Sequence, residues 1–423
     1  MTVHCAPGGH DLNVAVEVAH VRRHRPGCRS GWRSRRRKIV RRACLGQGHE
    51  TASRWPPMPS LGGSARSRSS ACANGGIAQV TLASGEVKHE FDEHRGNINR
   101  MVVSNDGKVL VSGGWDGAVR FWDLDAGKQL FVGPDHDNAV TAVAVSADGK
   151  TVASGCWDNS TIRWGADGKA AARVREHQYL VTAVQVVADG SWWSASQDGT
   201  VQHWAADGKS LAKVELEGEG AQAVAMVLAG GQAILAVADG TVRWIDLATG
   251  KETKRWKGHG SPVLAVVADE AGAFVASLEE GGTAIVWNVA TGEPLHHWVV
   301  HEKGAAALLH MGDGVLVATG EGSTLARYDG KAGKELQRVK FEHKQAVTGL
   351  SALAALPTRG AVLAAGDGVV FALAAADLKV LGTTEVPSAI TSLAASADGS
   401  VVVAGLDDGT IAQWKLAAPK PKK

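Results

Sequence analysis

The sequence predicts an all-β fold made of four-stranded units that repeat along the chain and close into a ring. Three observations support this prediction: a unit of about 41 residues recurs from residue 74 onward, apolar and polar residues alternate within it, and Asp-Gly turns separate the alternating runs. Tryptophan recurs in the same pattern, since the chain has 14 Trp against 2 Tyr and 6 Phe. Repeats of this length with four strands each are typical of propeller blades.

The units align on a turn aspartate and on the residue six positions after it, as in "WDGAVRFW" and "WDNSTIRW". That sixth position is held, unit by unit, by Trp122, Trp164, Trp204, Ile245, Trp287, Tyr328, Leu373 and Trp414, at steps of 40 to 45 residues. The alignment therefore predicts an eight-bladed propeller, with seven blades as the alternative.

Each unit is expected to supply four short antiparallel strands. In residues 138–156, two apolar runs flank an Asp-Gly turn, which predicts a β-hairpin, and a third and a fourth run follow later turns. The last unit ends in its third strand at Trp414. Residues 86–91, "EVKHEF", are expected to supply the missing fourth strand and so remove the free edge. Residues 75–86 would then be left over as a stray strand.

The first part of the chain is of a different kind. Residues 1–72 hold 14 Lys and Arg against 3 Asp and Glu, whereas the remainder holds 31 against 40. No strand or helix period runs through the basic part, which predicts a disordered Arg-rich segment over residues 1–73. A mispredicted start and an arm for nucleic acid are two explanations for it. Residues 74–417 are expected to form the propeller and residues 418–423 a basic tail.

Several classes of protein are excluded by the composition. Five cysteines form no C-x-x-C pair, and four of them lie in the first 72 residues, so neither a disulfide framework nor a metal site is expected. No apolar run approaches 18 residues and no secretory signal is recognisable, which predicts no membrane span and a cytoplasmic location. Because the true start is uncertain, an exported form remains an alternative. The mildly acidic main body is unlike a folded nucleic-acid-binding domain.

Taken together, the repeats resemble the WD40 repeat family, and the chain is expected to be a bacterial-type member. The resemblance covers about 345 residues from Asn74 and includes "GHGSPV" at residues 258–263 and the pair Trp122-Asp123. It also includes a histidine that recurs at His94, His136, His177, His259, His301 and His343.

The resemblance implies that four residues of a blade form a buried hydrogen-bonded set: the histidine, a serine of the second strand, the turn aspartate and the third-strand tryptophan. We call this set a tetrad. The complete tetrads are His94, Ser112, Asp116 and Trp122; His136, Ser154, Asp158 and Trp164; and His177, Ser194, Asp198 and Trp204. Later units have lost members, for example the aspartate, which is Gly281 in the fifth unit and Gly322 in the sixth. Blades 1 to 3 are therefore expected to be the most rigid.

A search for catalytic motifs finds none. No G-x-S-x-G, H-E-x-x-H or Gly-Lys-Ser/Thr stretch occurs in the sequence. The blade motif of eight-bladed quinone-dependent dehydrogenases places Trp four residues after a Gly, whereas Trp256 and Trp298 come six residues after Gly250 and Gly292. We therefore expect no enzyme, no cofactor and no small-molecule substrate. A quinoprotein-like propeller enzyme, or the sensor domain of a larger enzyme whose catalytic part lies upstream, is the alternative.

Binding is the expected function, and the resemblance places it at one mouth of the central channel. The residues just before the turn aspartate lie there: Trp115, Trp157, Gln197, Ala238, Glu280, Glu321, Gly366 and Asp407. The resemblance adds residues at the start of the first strands: Asn97, Asn99, Thr141, Leu180 and Thr182. Two exposed tryptophans with amide and hydroxyl neighbours are typical of a binding hot spot.

The predicted function is thus a non-catalytic protein–protein interaction scaffold that binds a protein or peptide. The acidic residues Glu280, Glu321 and Asp407 favour a partner with a basic segment. Nucleic acid is a partner only if the Arg-rich arm is genuine. The alternative for Trp115 and Trp157 is that they merely pack on each other.

Overall fold

A computed structural model gives the structure of the protein. It describes residues 78–79 and 93–415, except residues 134–135, 166, 270, 301–304, 312–314, 321–322, 342–346 and 348. The predicted Arg-rich segment over residues 1–73 and the tail over residues 418–423 lie outside the described residues.

The described residues form four-stranded sheets, eight in all, and we call those built from four consecutive strands blades 1 to 7. The chain begins with β1 (Ala78–Gln79). Blade 1 contains β2 (Ile98–Val103), β3 (Val109–Gly114), β4 (Val119–Asp123) and β5 (Lys128–Val132). Blade 2 contains β6 (Val140–Val145), β7 (Thr151–Cys156), β8 (Thr161–Gly165) and β9 (Ala170–Val174). Blade 3 contains β10 (Val181–Val186), β11 (Trp192–Ser196), β12 (Thr200–Trp204) and β13 (Ser210–Glu215).

The later blades follow the same order. Blade 4 contains β14 (Ala223–Ala229), β15 (Gln232–Val237), β16 (Thr241–Asp246) and β17 (Lys251–Lys257). Blade 5 contains β18 (Val263–Ala268), β19 (Val275–Glu279), β20 (Thr283–Trp287) and β21 (Pro294–Val299). Blade 6 contains β22 (Ala305–His310), β23 (Val315–Gly320), β24 (Thr324–Asp329) and β25 (Lys334–Lys340). Blade 7 contains β26 (Ala352–Leu356), β27 (Ala361–Gly366), β28 (Val369–Ala374) and β29 (Val380–Glu385), with a 3₁₀ turn at Pro357–Arg359. The closing sheet contains β30 (Ile390–Ala395), β31 (Val401–Leu406), β32 (Ile411–Lys415) and β1.

The sheets form a ring in which the first strand of each lies innermost. Each first strand lies against the first strand of the next sheet, and β30 of the closing sheet lies against β2 of blade 1. Two side chains tie this junction: Thr391 Oγ1 donates to the Ile98 carbonyl at 2.6 Å, and Gln413 Nε2 donates to the Leu124 carbonyl at 3.1 Å. The predicted all-β propeller is confirmed.

The last sheet is completed in a way that the sequence did not predict. Its outer position is taken by β1, which runs parallel to β32 and pairs Ala78 with Ala412 and Gln79 with Gln413. Residues 75–86, expected to be left over, thus include the strand that covers this edge, and that expectation was wrong. Residues 86–91 lie outside the described residues. The physical reason is that an exposed strand edge can pair with a parallel or with an antiparallel strand. The antiparallel pattern of the other units therefore did not determine the direction of β1.

The hydrophobic cores lie between neighbouring sheets. Trp164 of blade 2 is buried against Phe121 of blade 1, and Trp122 of blade 1 packs with Val401 and Ile411 of the closing sheet. The inner strands are buried, as in β7, whereas the outer strands such as β5 are largely exposed. Alternation within strands therefore positions one large side chain of each third strand inside, which is a tryptophan in blades 1, 2, 3 and 5 and in the closing sheet. Among the described residues, no helix has the length and hydropathy to cross a membrane.

Candidate functional site

One face of the ring carries two kinds of connection, and we call it the turn face. These are the turns between second and third strands and the loops that lead into the first strands. They meet because the Trp115 N–H donates to the Asn97 carbonyl at 2.9 Å and the Trp157 N–H to the Ala139 carbonyl at 3.0 Å. The Gln197 N–H donates to the Leu180 carbonyl at 3.1 Å in the same way. The residues predicted from the turns and from the loops therefore lie on one face.

Blade 1 has a complete tetrad beneath this face. Trp122 Nε1 donates to Ser112 Oγ at 2.8 Å, and that hydroxyl lies 2.7 Å from His94 Nε2. His94 Nδ1 lies 2.9 Å from Asp116 Oδ1. Burial opposes ionisation of Asp116, but hydrogen bonds from His94 and from the backbone N–H groups of Arg95 and Ala118 outweigh it and lower its pKa to about 2. The set joins the core tryptophan to the turn, which makes it structural.

Blade 2 contains the same arrangement with one more hydroxyl. Trp164 Nε1 and His136 Nε2 meet at Ser154 Oγ at 2.9 and 2.8 Å. His136 Nδ1 bonds Ser160 Oγ at 2.9 Å, and this hydroxyl donates to Asp158 at 2.6 Å. Burial opposes ionisation of Asp158, yet hydrogen bonds from His136 and Ser160 hold its pKa well below the usual range.

Blade 3 repeats the geometry of blade 2. Trp204 Nε1 and His177 Nε2 both lie 2.8 Å from Ser194 Oγ. His177 Nδ1 lies 3.1 Å from Asp198 and 3.0 Å from the Thr200 hydroxyl. Burial opposes ionisation of Asp198, but bonds from His177 and Thr200 lower its pKa as well. The structure thus brings together all twelve residues of the three tetrads.

Blade 5 has a fourth set that sequence reasoning missed. His259 Nε2 lies 2.6 Å from Ser277 Oγ, to which Trp287 Nε1 donates at 2.8 Å. The acid is Glu279, whose Oε2 lies 3.5 Å from His259 Nδ1 and accepts the Gly260 and Ser261 N–H groups. Gly281 holds the usual position of the aspartate, so the longer glutamate side chain acts from two residues earlier. The sequence signal that could have indicated this set is an acidic residue, Glu279, two positions before the Gly281-Gly282 turn.

In the part of the chain that the structure describes, the set is not found in the other units. In the closing sheet, Ala404 of β31 holds the position of the tetrad serine. Trp414 Nε1 is buried there and has no hydrogen-bond partner among the described residues. His301, His343 and Gly322 lie outside the described residues.

The aromatic residues of blades 1 and 2 meet on the turn face. The Trp115 and Trp157 rings lie 6.2 Å apart between centroids and are tilted by 44°. Trp115 is 50% exposed, whereas Trp157 and Gln197 are half-buried. Tyr179, in the loop that leads into blade 3, is 57% exposed and was not singled out from the sequence. Its signal was its position two residues after the recurring His177. The tryptophans contact each other and still leave an aromatic surface open to solvent.

Three predicted binding residues have structural partners instead. Asn99 Nδ2 donates to the Val140 carbonyl of blade 2 at 2.8 Å, and the Thr141 hydroxyl donates to the Val181 carbonyl of blade 3. Thr182 Oγ1 donates to the Ala223 carbonyl of blade 4 at 3.0 Å. These polar side chains join the inner strands of neighbouring blades. Asn97 and Leu180 are half-buried and offer their carbonyls to Trp115 and Gln197.

The two predicted acidic residues that the structure describes lie in blade 5 and in the closing sheet, which is the neighbour of blade 1. Glu280 is exposed, and its N–H donates to the Pro262 carbonyl. Asp407 is exposed and accepts a hydrogen bond from the Ser388 hydroxyl. Glu321 lies outside the described residues. Glu280 therefore puts negative charge on the part of the turn face away from the tryptophans, whereas Asp407 puts it on the sheet next to blade 1, which carries Trp115.

One group of metal-ligand type occurs within the described residues, although the sequence predicted none. The ligand atoms of His136, Cys156 and Asp158 lie within 4.8 Å of one another. Each is already bonded: His136 to Ser160, Asp158 to Ser160, and Cys156 Sγ to the Asn138 carbonyl at 3.0 Å. Burial raises the pKa of the Cys156 thiol to about 12, which disfavours the thiolate that binds metals. His136 and Asp158 of this group belong to the tetrad of blade 2, and Cys156 lies beside them.

Comparison with known proteins agrees with this geometry. The family described as "WD domain, G-beta repeat" matches residues 85–123, 127–164, 168–205 and 378–415. The chain contains WD40 repeats. The first three matches end at or next to the tetrad tryptophans of blades 1 to 3, and the fourth ends next to Trp414. The WD40 repeats therefore account for the tetrads.

Two individual proteins are similar to this chain, one over a short segment and the other over most of its length. The small ribosomal subunit protein RACK1 of Caenorhabditis elegans is 46% identical over 44 residues, which is 10% of this chain and 14% of that protein. The crystal structure of the computationally designed Ika8 protein has a TM-score of 0.66 and 24% sequence identity, and it covers 81% of this chain and 100% of its own. The first similarity is limited to one short segment, and the second supports the fold alone.

Proposed function

We propose that the WD40 propeller is a non-catalytic cytoplasmic scaffold that binds a protein or peptide partner at its turn face. The observation that carries the proposal is the pair Trp115 and Trp157, which is in contact and half open to solvent. Large aromatic side chains dominate the binding energy of protein interfaces because they bury much area with few rotatable bonds. The propeller over residues 74–417 supplies the rigid support.

The tetrad tryptophans Trp122 and Trp164 differ in their contacts from the turn tryptophans Trp115 and Trp157. Trp122 and Trp164 donate their indole N–H groups to buried serines, whereas Trp115 and Trp157 lie above them at the turns. In the other described units the same position holds Gln197, Ala238, Glu280, Gly366 or Asp407. A blade thus forms without an aromatic residue there, and two adjacent tryptophans are best explained by a ligand.

Charge on the same face favours a partner with a basic segment. Glu280 and Asp407 are exposed, and the loop into blade 4 adds the exposed Glu217 and Glu219. Opposite charges across an interface mainly raise the association rate and the specificity. The partner is therefore expected to place an apolar anchor on the tryptophans and cationic side chains toward blades 4 and 5 and toward the closing sheet.

The test is an affinity purification from the native host with three baits: the wild-type chain, Trp115→Ala with Trp157→Ala, and a control with Leu211→Ala and Leu381→Ala. The control residues are exposed on the outer strands β13 and β29. A partner that the wild type and the control recover, and that the tryptophan variant loses, supports the proposal. Equal recovery by all three baits would remove the tryptophans from consideration.

A further inference from the structure

Blade 1 contains a buried arginine whose hydrogen-bonding groups are only partly satisfied. Arg120, on β4, is 9% exposed, and its Nη1 donates to Gln129 Oε1 at 3.0 Å. The nearest carboxylates are farther away, with Asp116 at 3.6 Å and Glu93 at 3.8 Å. Arg120 Nε has no hydrogen-bond partner among the residues that the structure describes. A buried guanidinium in this state is costly, because its lost hydration is not replaced.

Blade 4 shows how the same chain satisfies an arginine at the equivalent place. Arg243, like Arg120, lies four residues after the turn aspartate. Its Nε donates to Thr241 Oγ1 at 2.9 Å, its Nη2 pairs with Asp239, and its Nη1 lies 3.4 Å from Glu252 Oε2. Arg243 is thus surrounded by one hydroxyl and two carboxylates.

Blade 1 lacks two of these three partners. Ala118 stands two residues after the turn aspartate, where blade 4 has Thr241. Gln129 holds the position that Glu252 holds in blade 4. In the strand pairing, Gln129 lies opposite Trp122, and Glu252 lies opposite Ile245, which is the residue equivalent to Trp122. The missing groups amount to one hydroxyl oxygen and one carboxylate.

A pocket lies beside Arg120 and Ala118. Its volume is about 440 Å³, and its lining includes Ala118, Val132, Arg95, Arg120, Glu93 and Asp116. The Asp116 oxygens already accept bonds from His94 and from backbone N–H groups. The side chain of Glu93 is 51% exposed. Among the described residues that line the pocket, Arg95 and Arg120 are thus accompanied by one weakly engaged carboxylate, that of Glu93.

We propose that this pocket binds a carboxylate group of a ligand, independently of the partner surface. A carboxylate has two oxygens in one plane, which matches the paired N–H groups of a guanidinium and is the group that Glu252 supplies to Arg243 in blade 4. The ligand carboxylate would accept a hydrogen bond from Arg120 Nε. It would take the place of the Glu93 carboxylate beside Arg120, and Glu93 would move toward solvent. Phosphate offers the same oxygen chemistry, and the experiment separates the two.

The test follows the Arg120 Nε–Hε resonance by NMR while acetate, or inorganic phosphate, is added to the full chain at constant ionic strength against a chloride control. The proposal predicts a saturable shift with acetate that is absent with chloride. Glu93→Gln removes the competing carboxylate and is expected to tighten acetate binding at least about threefold.

The decisive variant is Ala118→Thr with Gln129→Glu, which copies the blade 4 partners into blade 1. Because blade 4 folds with these residues, the variant is expected to stay folded, to melt at a higher temperature and to lose the acetate response. An unchanged acetate response in this variant would overturn the proposal. A saturable shift with phosphate and none with acetate would overturn the assignment to carboxylates.

Discussion

At the scale of single residues, a serine hydroxyl links each tetrad. In blade 1, Ser112 Oγ receives the Trp122 indole N–H and lies within 2.7 Å of His94 Nε2, and all three side chains are buried. No water reaches these atoms to replace a lost bond. The serine therefore contributes more to the stability of the folded protein than the small size of its side chain indicates.

Ser112→Ala is expected to lower the free energy of unfolding by about 2–3 kcal/mol, because it leaves two buried nitrogen atoms without partners. Urea denaturation of the variant and the wild type measures this difference. Ser210→Ala, at an exposed position of β13, is the control and should change stability by less than about 0.5 kcal/mol. Equal effects of the two substitutions would show that the tetrad does not stabilise the blade.

His259 makes stability depend on pH. Burial lowers the pKa of His259 from 6.5 to about 4, although the nearby Glu279 opposes this. Below pH 6.5 the unfolded chain takes up a proton at this imidazole, whereas the folded chain keeps it neutral until about pH 4. The stabilising contribution is thus complete above pH 6.5 and is lost as the pH falls toward 4.

Between pH 7 and pH 5, the loss from His259 is expected to be about 2 kcal/mol. The free energy of unfolding at the two pH values, in the wild type and in His259→Gln, checks this. Because the substitution itself changes the starting stability, the quantity compared is the change with pH, which should be smaller in the variant. An equal change in both proteins would contradict the assignment to His259.

The resemblance to WD40 repeats predicted the tetrad residues of blades 1 to 3, because each of them stands at the matching position of its unit. It did not predict Glu279, because a longer side chain reaches the same histidine from a different position. Nor did it predict that Asn99, Thr141 and Thr182 join neighbouring blades, since their partners are backbone carbonyls about 40 residues away that carry no sequence signal.

At the scale of elements, the Asp-Gly turns join one blade to the next. Gly117 has a φ of 78°, and a Cβ at this position would lie 2.5 Å from the His136 carbonyl oxygen in the loop leading into blade 2. Gly409 of the closing sheet lies in the same way against the His94 carbonyl of blade 1. Glycine is required there both for the left-handed backbone and for the close approach of the next loop.

Gly117→Ala is therefore expected to destabilise the protein more than Gly231→Ala. Gly231 has a similar φ of 75°, but a Cβ there meets nothing within 4 Å. Gly231→Ala should cost about 1 kcal/mol for the backbone alone, and Gly117→Ala at least about 1 kcal/mol more for the contact between blades. Thermal unfolding of both variants measures the difference. If the two losses match, the turn does not hold the blades together.

The strands themselves were predictable because alternation with a period of two marks the buried face of every blade. The closing strand was not, because β1 pairs through only two residues and runs parallel to β32. A two-residue segment has no periodicity from which to choose its partner or its direction.

At the scale of the whole molecule, the tetrads are distributed unevenly around the ring. Blades 1, 2, 3 and 5 carry a histidine, serine and tryptophan in contact. Blade 7 has Ala364 and Leu373 on its second and third strands instead, in a core of apolar residues. Each sheet contacts only its neighbours, so local stability is expected to follow local composition.

Native-state hydrogen exchange should therefore be slower for the inner-strand amides of blades 1 to 3 than for those of blade 7. Peptide-level mass spectrometry covers both regions in one experiment, and β7 and β27, which are both second strands of six residues, are the strands to compare. Slower exchange in blade 7 would mean that apolar packing, and not the tetrad, sets the rigidity of a blade.

The central claim is that Trp115 and Trp157 bind a partner and have no structural role. The most direct measurement is the dissociation constant of the purified partner for the wild type and for Trp115→Ala with Trp157→Ala, by isothermal titration calorimetry. The account predicts at least a tenfold weaker complex, about 1.4 kcal/mol or more, with an unchanged melting temperature of the propeller. An unchanged dissociation constant, or a loss of binding that accompanies unfolding of the variant, would contradict it.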